Sequence, residues 1–243
     1  MRTHRVRALL MGGQACVSYG AAEFSRDVDF AILASPSNLG ALRKALKALA
    51  AEVIAVPPFE VRYLRKGHAL HFRCHDPQAE GLRVDVMSRM RGVASFETLW
   101  RRRTTVELPD GSAFDLLSLP DLVRAKKTQR DKDWPMIRRL LEADFFQRRE
   151  NAMPADIRFW FAELRTPDLL IALAGAHPVE CRRSSAKRPL LRFALRADPD
   201  AVTSALIAEE AAEREADRAY WQPLREELEQ LRHHNATRKV HKD

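Results

Sequence analysis

The stretch from Leu9 to Ile32 organises the chain, and it reads LLMGGQACVSYGAAEFSRDVDFAI. An apolar run from Ala8 to Met11 leads into the pair Gly12-Gly13, and residues 14–19 after it are expected to form a short helix. The two glycines lack a Cβ atom, so a phosphate group can approach their backbone closely. The start of the helix adds unpaired N–H groups and the positive end of a dipole. This part of the stretch therefore predicts a phosphate contact.

The second half of the stretch carries two carboxylates on one predicted strand. Because side chains alternate along a strand, Asp27 and Asp29 share one face, with Ser25 beside them. Val28 and Phe30 point the other way and can anchor the strand in a core. Two carboxylates on one face repel each other unless a cation lies between them. Mg2+ is usually held by one or two carboxylates together with substrate phosphates, so the pair predicts a magnesium site.

These motifs together resemble the signature of a known superfamily. An apolar residue, the glycines Gly12-Gly13, thirteen further residues and the run Asp27-Val28-Asp29-Phe30 are similar to the signature of nucleotidyltransferases with the polymerase β-like fold. The Gly-Gly form looks more like the CCA-adding and toxin-type members than like polymerase β itself. The resemblance implies a third carboxylate on a later strand, and Asp85 in the run LRVDV of residues 82–86 fits that position.

A further match lies at residues 117–133, which read LSLPDLVRAKKTQRDKD. This segment resembles the D-L-x-x-x-K…R-x-K-D helix of abortive-infection type IV toxin nucleotidyltransferases and of related small families. The resemblance covers roughly residues 5–142. It implies that Lys126 and Arg130, four apart on one helix face, contact the triphosphate or the acidic centre. The alternative interpretation of the same two residues is a solvated helix face.

The resemblance implies an activity and a set of site residues. The enzyme would move a nucleoside monophosphate from a nucleoside triphosphate to an acceptor hydroxyl and release pyrophosphate. Two Mg2+ ions at Asp27, Asp29 and Asp85 would stabilise the attacking and leaving oxygens, and Asp85 would also help to accept the proton of the hydroxyl. The residues expected to contact the nucleotide are Gly12, Gly13, Ser25, Lys126 and Arg130.

The sequence also departs from the toxin-type pattern, and this leaves alternatives open. Members tend to carry an Arg four residues before the first Asp and a Thr two residues before it, whereas this chain has Glu23 and Ser25. Ser25 is a conservative change, but Glu23 reverses a charge close to the expected phosphates. One alternative is a transferase that modifies a small molecule such as an antibiotic. The other is a degenerate member that binds nucleotide or RNA without chemistry.

Composition indicates the expected partners and the compartment. The chain of 243 residues has a formal net charge of +8, with basic clusters at residues 101–103 and 182–188, which favours an anionic partner. Transfer RNA or another RNA is the expected acceptor, and the toxin-type resemblance adds a neutralising antitoxin protein. Three widely spaced cysteines indicate a reducing, cytoplasmic location. An apolar run of about 18 residues is absent from the sequence, so no membrane span is expected.

The remaining patterns predict an α+β protein with two domains. Helical spacing of leucines predicts a helix over residues 39–49. Alternating runs separated by turn residues predict a hairpin of residues 69–74 and 82–87 and a second one of residues 106–108 and 113–117, with an edge strand at 53–56. A helix is expected from Ser118 toward Arg130, and a new one from Asp133. We expect a nucleotidyltransferase domain with a mixed sheet at 1–144 and a helical, acceptor-binding domain at 145–243.

Overall fold

The computed structural model describes residues 1–22 and 24–240, with side chains through residue 234. The protein is α+β, as predicted, and combines a mixed sheet of seven strands with many helices. The predicted effect of Glu23 lies outside the described residues. In the described part of the chain, no helix combines the length and apolar character that crossing a membrane requires.

The sheet contains both predicted hairpins. Its strands are β1 Ala8–Met11, β2 Asp27–Ile32, β3 Glu52–Val53, β4 Leu70–Arg73, β5 Arg83–Met87, β6 Thr104–Glu107 and β7 Ala113–Leu116. Their order across the sheet is β3-β4-β5-β2-β1-β7-β6. The hairpins β4–β5 and β6–β7 are antiparallel, as are β1–β2 and β3–β4, whereas β2–β5 and β1–β7 are parallel. The parallel pairs place β2 and β1 at the centre, where the two predicted hairpins meet them from opposite sides.

The helices fall into two groups along the chain. Those among the strands are α1 Gly12–Ser18, α2 Pro36–Ala48, α3 Val61–Lys66, α4 Phe96–Arg101 and α5 Leu119–Lys126. Those that follow are α6 Asp133–Arg148, α7 Pro154–Glu163, α8 Pro167–Ala176, α9 Pro178–Ser184, α10 Leu191–Ala194 and α11 Pro199–Val240. Short 3-10 helices lie at Arg2–His4 and Arg149–Asn151. The loss of strand character beyond about residue 145 is thus confirmed.

The predicted helix over residues 39–49 is confirmed as α2, and local chemistry explains its start. The hydroxyl of Ser35 accepts a hydrogen bond from the backbone N–H of Asn38 at 3.3 Å, and Pro36 occupies the first turn. Leu39, Leu42 and Leu46 are buried on the face that meets the sheet core. Capping and periodic leucines therefore suffice to specify this helix.

The predicted helix from Ser118 toward Arg130 is wrong at its C-terminal end, because α5 stops at Lys126. Residues 127–132 form turns instead, and α6 begins at Asp133 as predicted. The carboxylate of Asp133 accepts hydrogen bonds from Thr128 Oγ1 at 2.6 Å and from Arg130 Nε at 2.8 Å. Such local side-chain bonds compete with helical backbone bonds, which accounts for the break.

The last helix, α11, extends to Val240, and the final three residues lie outside the described part of the chain. Pro223 lies inside α11 and does not end it. The acidic and basic residues of this helix form pairs three or four apart, such as Arg218–Glu215 at 2.7 Å, which support an exposed helix.

The chain divides into two compact units. The first contains Met1–Ala125 together with the chain from Ala219 onward, and the second contains Lys126–Arg218. The first unit holds the sheet, whose buried residues pack with α2 and α3 into one hydrophobic cluster that includes Leu42, Leu64 and Phe72. The division into a nucleotidyltransferase domain at 1–144 and a helical domain at 145–243 stays a prediction.

Candidate functional site

The register of two strands, β2 and β5, brings the predicted carboxylates together in the first unit. β2 pairs in parallel with β5, and Asp29 lies directly opposite Asp85, while Asp27 lies opposite Arg83. Paired residues of neighbouring strands project from the same face of a sheet. The three aspartates and Arg83 therefore share one face. Phe30, on the other face of β2, packs against the core cluster.

The glycine turn lies against the carboxylate strand. Gly12 has a φ of +67°, and a Cβ atom added there would lie 1.9 Å from Oδ2 of Asp29. A Cβ atom at Gly13 would lie 2.3 Å from Oγ of Ser25. The side chain of Gln14 donates a hydrogen bond to the carbonyl of Ser25 at 2.7 Å. Both glycines are therefore needed so that β2 and the start of α1 can approach this closely.

Asp85 is held by two basic side chains. Arg83 donates from Nε and Nη2 to the two carboxylate oxygens, at 2.9 and 3.0 Å. Nδ1 of His71, opposite Asp85 on β4, lies 2.8 Å from Oδ1. Burial of Asp85 by itself raises the pKa of its carboxyl group, but the hydrogen bonds and charges of His71 and Arg83 outweigh this and lower the pKa. The carboxyl group of Asp85 is consequently ionised, and it is in contact with Arg83 and His71.

Arg83 links all three carboxylates electrostatically. Its hydrogen bonds to Asp85 are the largest cause of a raised guanidinium pKa; burial acts against them, and the charges of Asp27 and Asp29 reinforce them. Because Arg83 is part-exposed, its charge is screened by solvent, but it still lies on the same face as the aspartates. The guanidinium of Arg83 therefore offsets part of the repulsion between the carboxylates, a role for which the sequence predicted Mg2+.

The residues present fit a divalent cation through two of the three aspartates. Asp27 and Asp29 offer carboxylate oxygens on one face, next to a backbone that leaves room for phosphate oxygens, which is how Mg2+ is commonly held. Asp85 meets Arg83 and His71 instead. Among the side chains of residues 1–22 and 24–234, no group of three or more His, Cys, Asp or Glu is arranged to hold a metal. Asp27 and Asp29 are the residues of this face that could hold such an ion.

Lys126 and Arg130 both contact Asp133 in the second unit. Lys126 Nζ lies 3.0 Å from Oδ1 of Asp133, and Arg130 Nε lies 2.8 Å from Oδ2. Asp133 is almost fully buried, which by itself raises its pKa, but Lys126, Thr128 and Arg130 outweigh burial and lower it. The prediction of a shared helix face is wrong, since α5 ends at Lys126. The two residues instead converge on one acid.

The basic clusters are partly internal. Arg102 and Ser118 donate to the buried carboxylate of Asp121, and Arg103 donates to Asp115 at 3.0 Å. Arg188 is buried, and its guanidinium donates to the carbonyls of Phe161 and Leu164 and to Glu209; the distances are 3.0, 2.9 and 2.9 Å, respectively. Arg101, Arg182, Arg183 and Lys187 are exposed, as is Arg102 despite its ion pair with Asp121. Only part of each cluster is thus available to an anionic partner.

Sequence reasoning did not place His71 and Arg83 in the site. The signal was present, because the alternating hairpin of β4 and β5 puts His71, Arg83 and Asp85 on one face. No protein-family model matches the chain, and no curated protein matches it either. The likeness to nucleotidyltransferases therefore rests on the motifs quoted above.

Proposed function

We propose that the protein is a Mg2+-dependent nucleotidyltransferase of the polymerase β-like superfamily, similar to the toxin-type members. It moves a nucleoside monophosphate from a nucleoside triphosphate to an acceptor hydroxyl and releases pyrophosphate. One observation carries the proposal: β2 and β5 pair so that Asp29 lies opposite Asp85, with the Gly12 turn against the Asp29 carboxylate. A sheet that served only as a scaffold would have no need to crowd three carboxylates and a Cβ-free turn together.

The residues of the site take distinct parts in the proposed reaction. Asp27 and Asp29 hold the cation, which supplies Lewis-acid stabilisation of charge on the transferring phosphoryl group. The backbone of Gly12 and Gly13 admits the phosphates, and the hydroxyl of Ser25, now 3.2 Å from the carbonyl of Asp27, lies beside them. Orientation of the triphosphate by these groups lets the acceptor hydroxyl attack in line.

The contacts of Asp85 with His71 and Arg83 determine its role in the proposed reaction. A general base works best when its pKa is near the working pH, whereas hydrogen bonds to His71 and Arg83 lower the pKa of Asp85. Asp85 therefore remains ionised and is suited to positioning Arg83 beside Asp27 and Asp29. As the substrate binds, Arg83 can stabilise negative charge on it, because guanidinium groups donate well to phosphate oxygens.

The test is label transfer by variants of the two cation-holding residues. Asp27→Asn and Asp29→Asn each remove one ligand charge without opening a cavity, so transfer from labelled nucleoside triphosphates with Mg2+ should fall by about a hundredfold or more, at an unchanged melting temperature. Asp168→Asn, an exposed acid in the first turn of α8, is the matched control and should transfer at the wild-type rate. Undiminished transfer by both site variants would disprove the assignment.

The engagement of Asp85 favours a second candidate function, a member that binds nucleotide without chemistry. Arg83 forms an ion pair with the third carboxylate, and His71 lies within hydrogen-bonding distance of it, as a degenerate site would allow. Equilibrium dialysis of the wild-type protein with labelled nucleoside triphosphate and Mg2+ separates the two. Binding without any transferred label, on RNA, protein or small acceptors, supports this second candidate, and transfer removes it.

A further inference from the structure

The second unit contains a cleft whose lining residues all lie between Lys127 and Ala216. Its volume is about 590 Å³, which is within the range of sites for small molecules. Helices α7 and α11 form two of its walls, and the segment after α9 contributes Lys187 and Arg188. None of the residues assigned to the transferase site lies on it.

The charge of the cleft is strongly unbalanced. Five basic and two acidic side chains line it, a formal excess of three positive charges. They are Lys127, Arg158, Arg165, Lys187, Arg188, Glu209 and Glu213. Such a concentration of positive charge in a concave surface attracts and concentrates anions.

Several of these charges already have partners. Glu209 accepts from Arg188 at 2.9 Å, and Lys127 lies 2.7 Å from Glu163 and 3.8 Å from Glu213. In the described residues, no ion pair or hydrogen bond involves the exposed side chains of Arg158 and Lys187. The excess charge of the cleft therefore belongs to Arg158, Lys187 and Arg165.

Arg165 is the exceptional member of this group. Its side chain is 9% exposed, and in the described part of the chain Nε and Nη1 have no hydrogen-bond partner. The nearest acid, Oε2 of Glu209, is 3.9 Å from Nη1, and one face of the guanidinium lies 4.7 Å from the centroid of the Trp134 ring. A buried charged donor left unfilled costs free energy, and most such groups in proteins are satisfied.

Burial and the neighbouring positive charge of Arg188 lower the pKa of Arg165 by more than the charges of Glu209, Glu163 and Glu213 raise it. The carboxylates of the protein therefore compensate only part of the cost of burying this cation. An anion in the cleft would supply the missing acceptors and the missing negative charge at once. The buried guanidinium and the two exposed cations thus point to the same ligand chemistry.

We propose that this cleft binds a phosphate group, carried by a small molecule or free in solution, with Arg165 as its buried anchor. Arg158 and Lys187 attract the phosphate from the surface, and the unfilled donors of Arg165 hold it. Phosphate oxygens accept several hydrogen bonds, which suits arginine especially well. The cleft is larger than a phosphate ion, and the exposed side chains of Ala162, Ala212 and Ala216 leave space for the rest of a small ester. The site is separate from the proposed transferase activity and does not depend on it.

Titration calorimetry of the full chain in EDTA tests the proposal, since removing divalent cations silences the proposed Mg2+ site. The probes are ribose 5-phosphate, inorganic phosphate and ribose, at constant ionic strength. We expect one phosphate-dependent site and no binding of ribose. Tighter binding of ribose 5-phosphate than of inorganic phosphate identifies an ester as the ligand, and equal affinity identifies free phosphate. No binding of either phosphate would overturn the proposal.

Three variants localise the binding. Arg165→Met keeps the length of the side chain but removes its charge, and should weaken binding about tenfold to hundredfold. The double variant Arg158→Met/Lys187→Met changes only exposed residues, so it should stay folded and should also bind more weakly. Arg139→Met, an exposed arginine of α6, is the matched control and should bind like the wild type. Wild-type affinity in the double variant, or an equal loss in the control, would refute the location.

Discussion

Gly12 illustrates how a single missing atom determines the geometry of the site. Its backbone has a φ of +67°, a conformation that residues with a Cβ atom adopt at a cost, and the position of that atom is taken by Asp29. At Gly13 the backbone conformation is ordinary, but the side chain of Ser25 occupies the space that a Cβ atom would need. The motif therefore requires two glycines for two different reasons, one conformational and one purely steric.

A comparison of Gly12 with Gly20 separates the conformational requirement for glycine from the steric one. Gly20 has a φ of +73° and nothing within 4 Å of an added Cβ, so Gly20→Ala should cost only the conformational term, about 1 kcal/mol of unfolding free energy. Gly12→Ala adds the clash with Asp29 and should cost about 3 kcal/mol, with loss of nucleotide transfer. Urea unfolding of both variants and a transfer assay measure this. Equal losses in stability would mean that Asp29 moves aside freely.

At the scale of elements, side-chain alternation predicted both hairpins because it depends only on neighbours along the chain. The partner of β2 is β5, a strand far along the sequence, and the alternation in each strand ensures that their polar faces coincide. The break after α5 was not predicted, because it depends on specific side-chain contacts and not on a periodic pattern. Thr128, Arg130 and Lys126 form a cluster around Asp133 that has no periodic signature.

This cluster should make stability depend on pH. The pKa of Asp133 lies below its ordinary value of 3.8, so its contribution is fully present above pH 3.8 and is lost as the pH falls through the lowered value. Asp133→Asn leaves the buried ammonium of Lys126 without its counter-charge and should cost about 3 kcal/mol at neutral pH. Chemical unfolding across pH should show the difference between wild type and variant shrinking below pH 3.8.

A neighbouring acid provides the control for that measurement. Asp131 lies in the same turn and pairs with Arg214, but its side chain is 97% exposed. Asp131→Asn should therefore have little effect on stability at any pH, since solvent screens such pairs. A loss in Asp131→Asn as large as that in Asp133→Asn would show that burial of the Lys126 pair is not the cause.

At the scale of the whole molecule, the formal net charge of +8 favours a polyanionic acceptor over a small neutral one. The structure reduces the number of basic residues that can contribute, because Arg102, Arg103 and Arg188 are engaged internally. Arg101, Arg182 and Arg183 remain exposed. RNA is the acceptor that we propose on this basis.

The corresponding prediction concerns salt. With labelled nucleoside triphosphates, Mg2+ and total cellular RNA, label should appear on RNA and should fall steeply as salt rises, because phosphate contacts release counterions. Arg182→Gln/Arg183→Gln should weaken this dependence, whereas Arg188→Gln should instead lower stability through the lost contacts with Phe161 and Leu164. Label on small aminoglycosides alone would indicate the antibiotic-type alternative and contradict the RNA proposal.

The sequence by itself determined the features that depend on short spacings. Alternation and glycine placement predicted the face shared by Asp27 and Asp29, both hairpins and the start of α6, since each involves residues within one turn or one strand. The prolines at 154, 167 and 199 begin α7, α8 and α11, because the fixed φ angle of proline suits the first helical turn.

Only the tertiary structure decided which partners the charged side chains have. It placed His71 and Arg83 on Asp85, joined the end of the chain to the sheet-bearing unit, and left Arg165 buried without acceptors. Each of these depends on contacts between residues distant in the sequence, or on a burial that several helices create together. Local patterns reveal the periodicity of side chains but not the charges that face them, which is why the partners of Asp85 and the buried Arg165 emerged only from the fold.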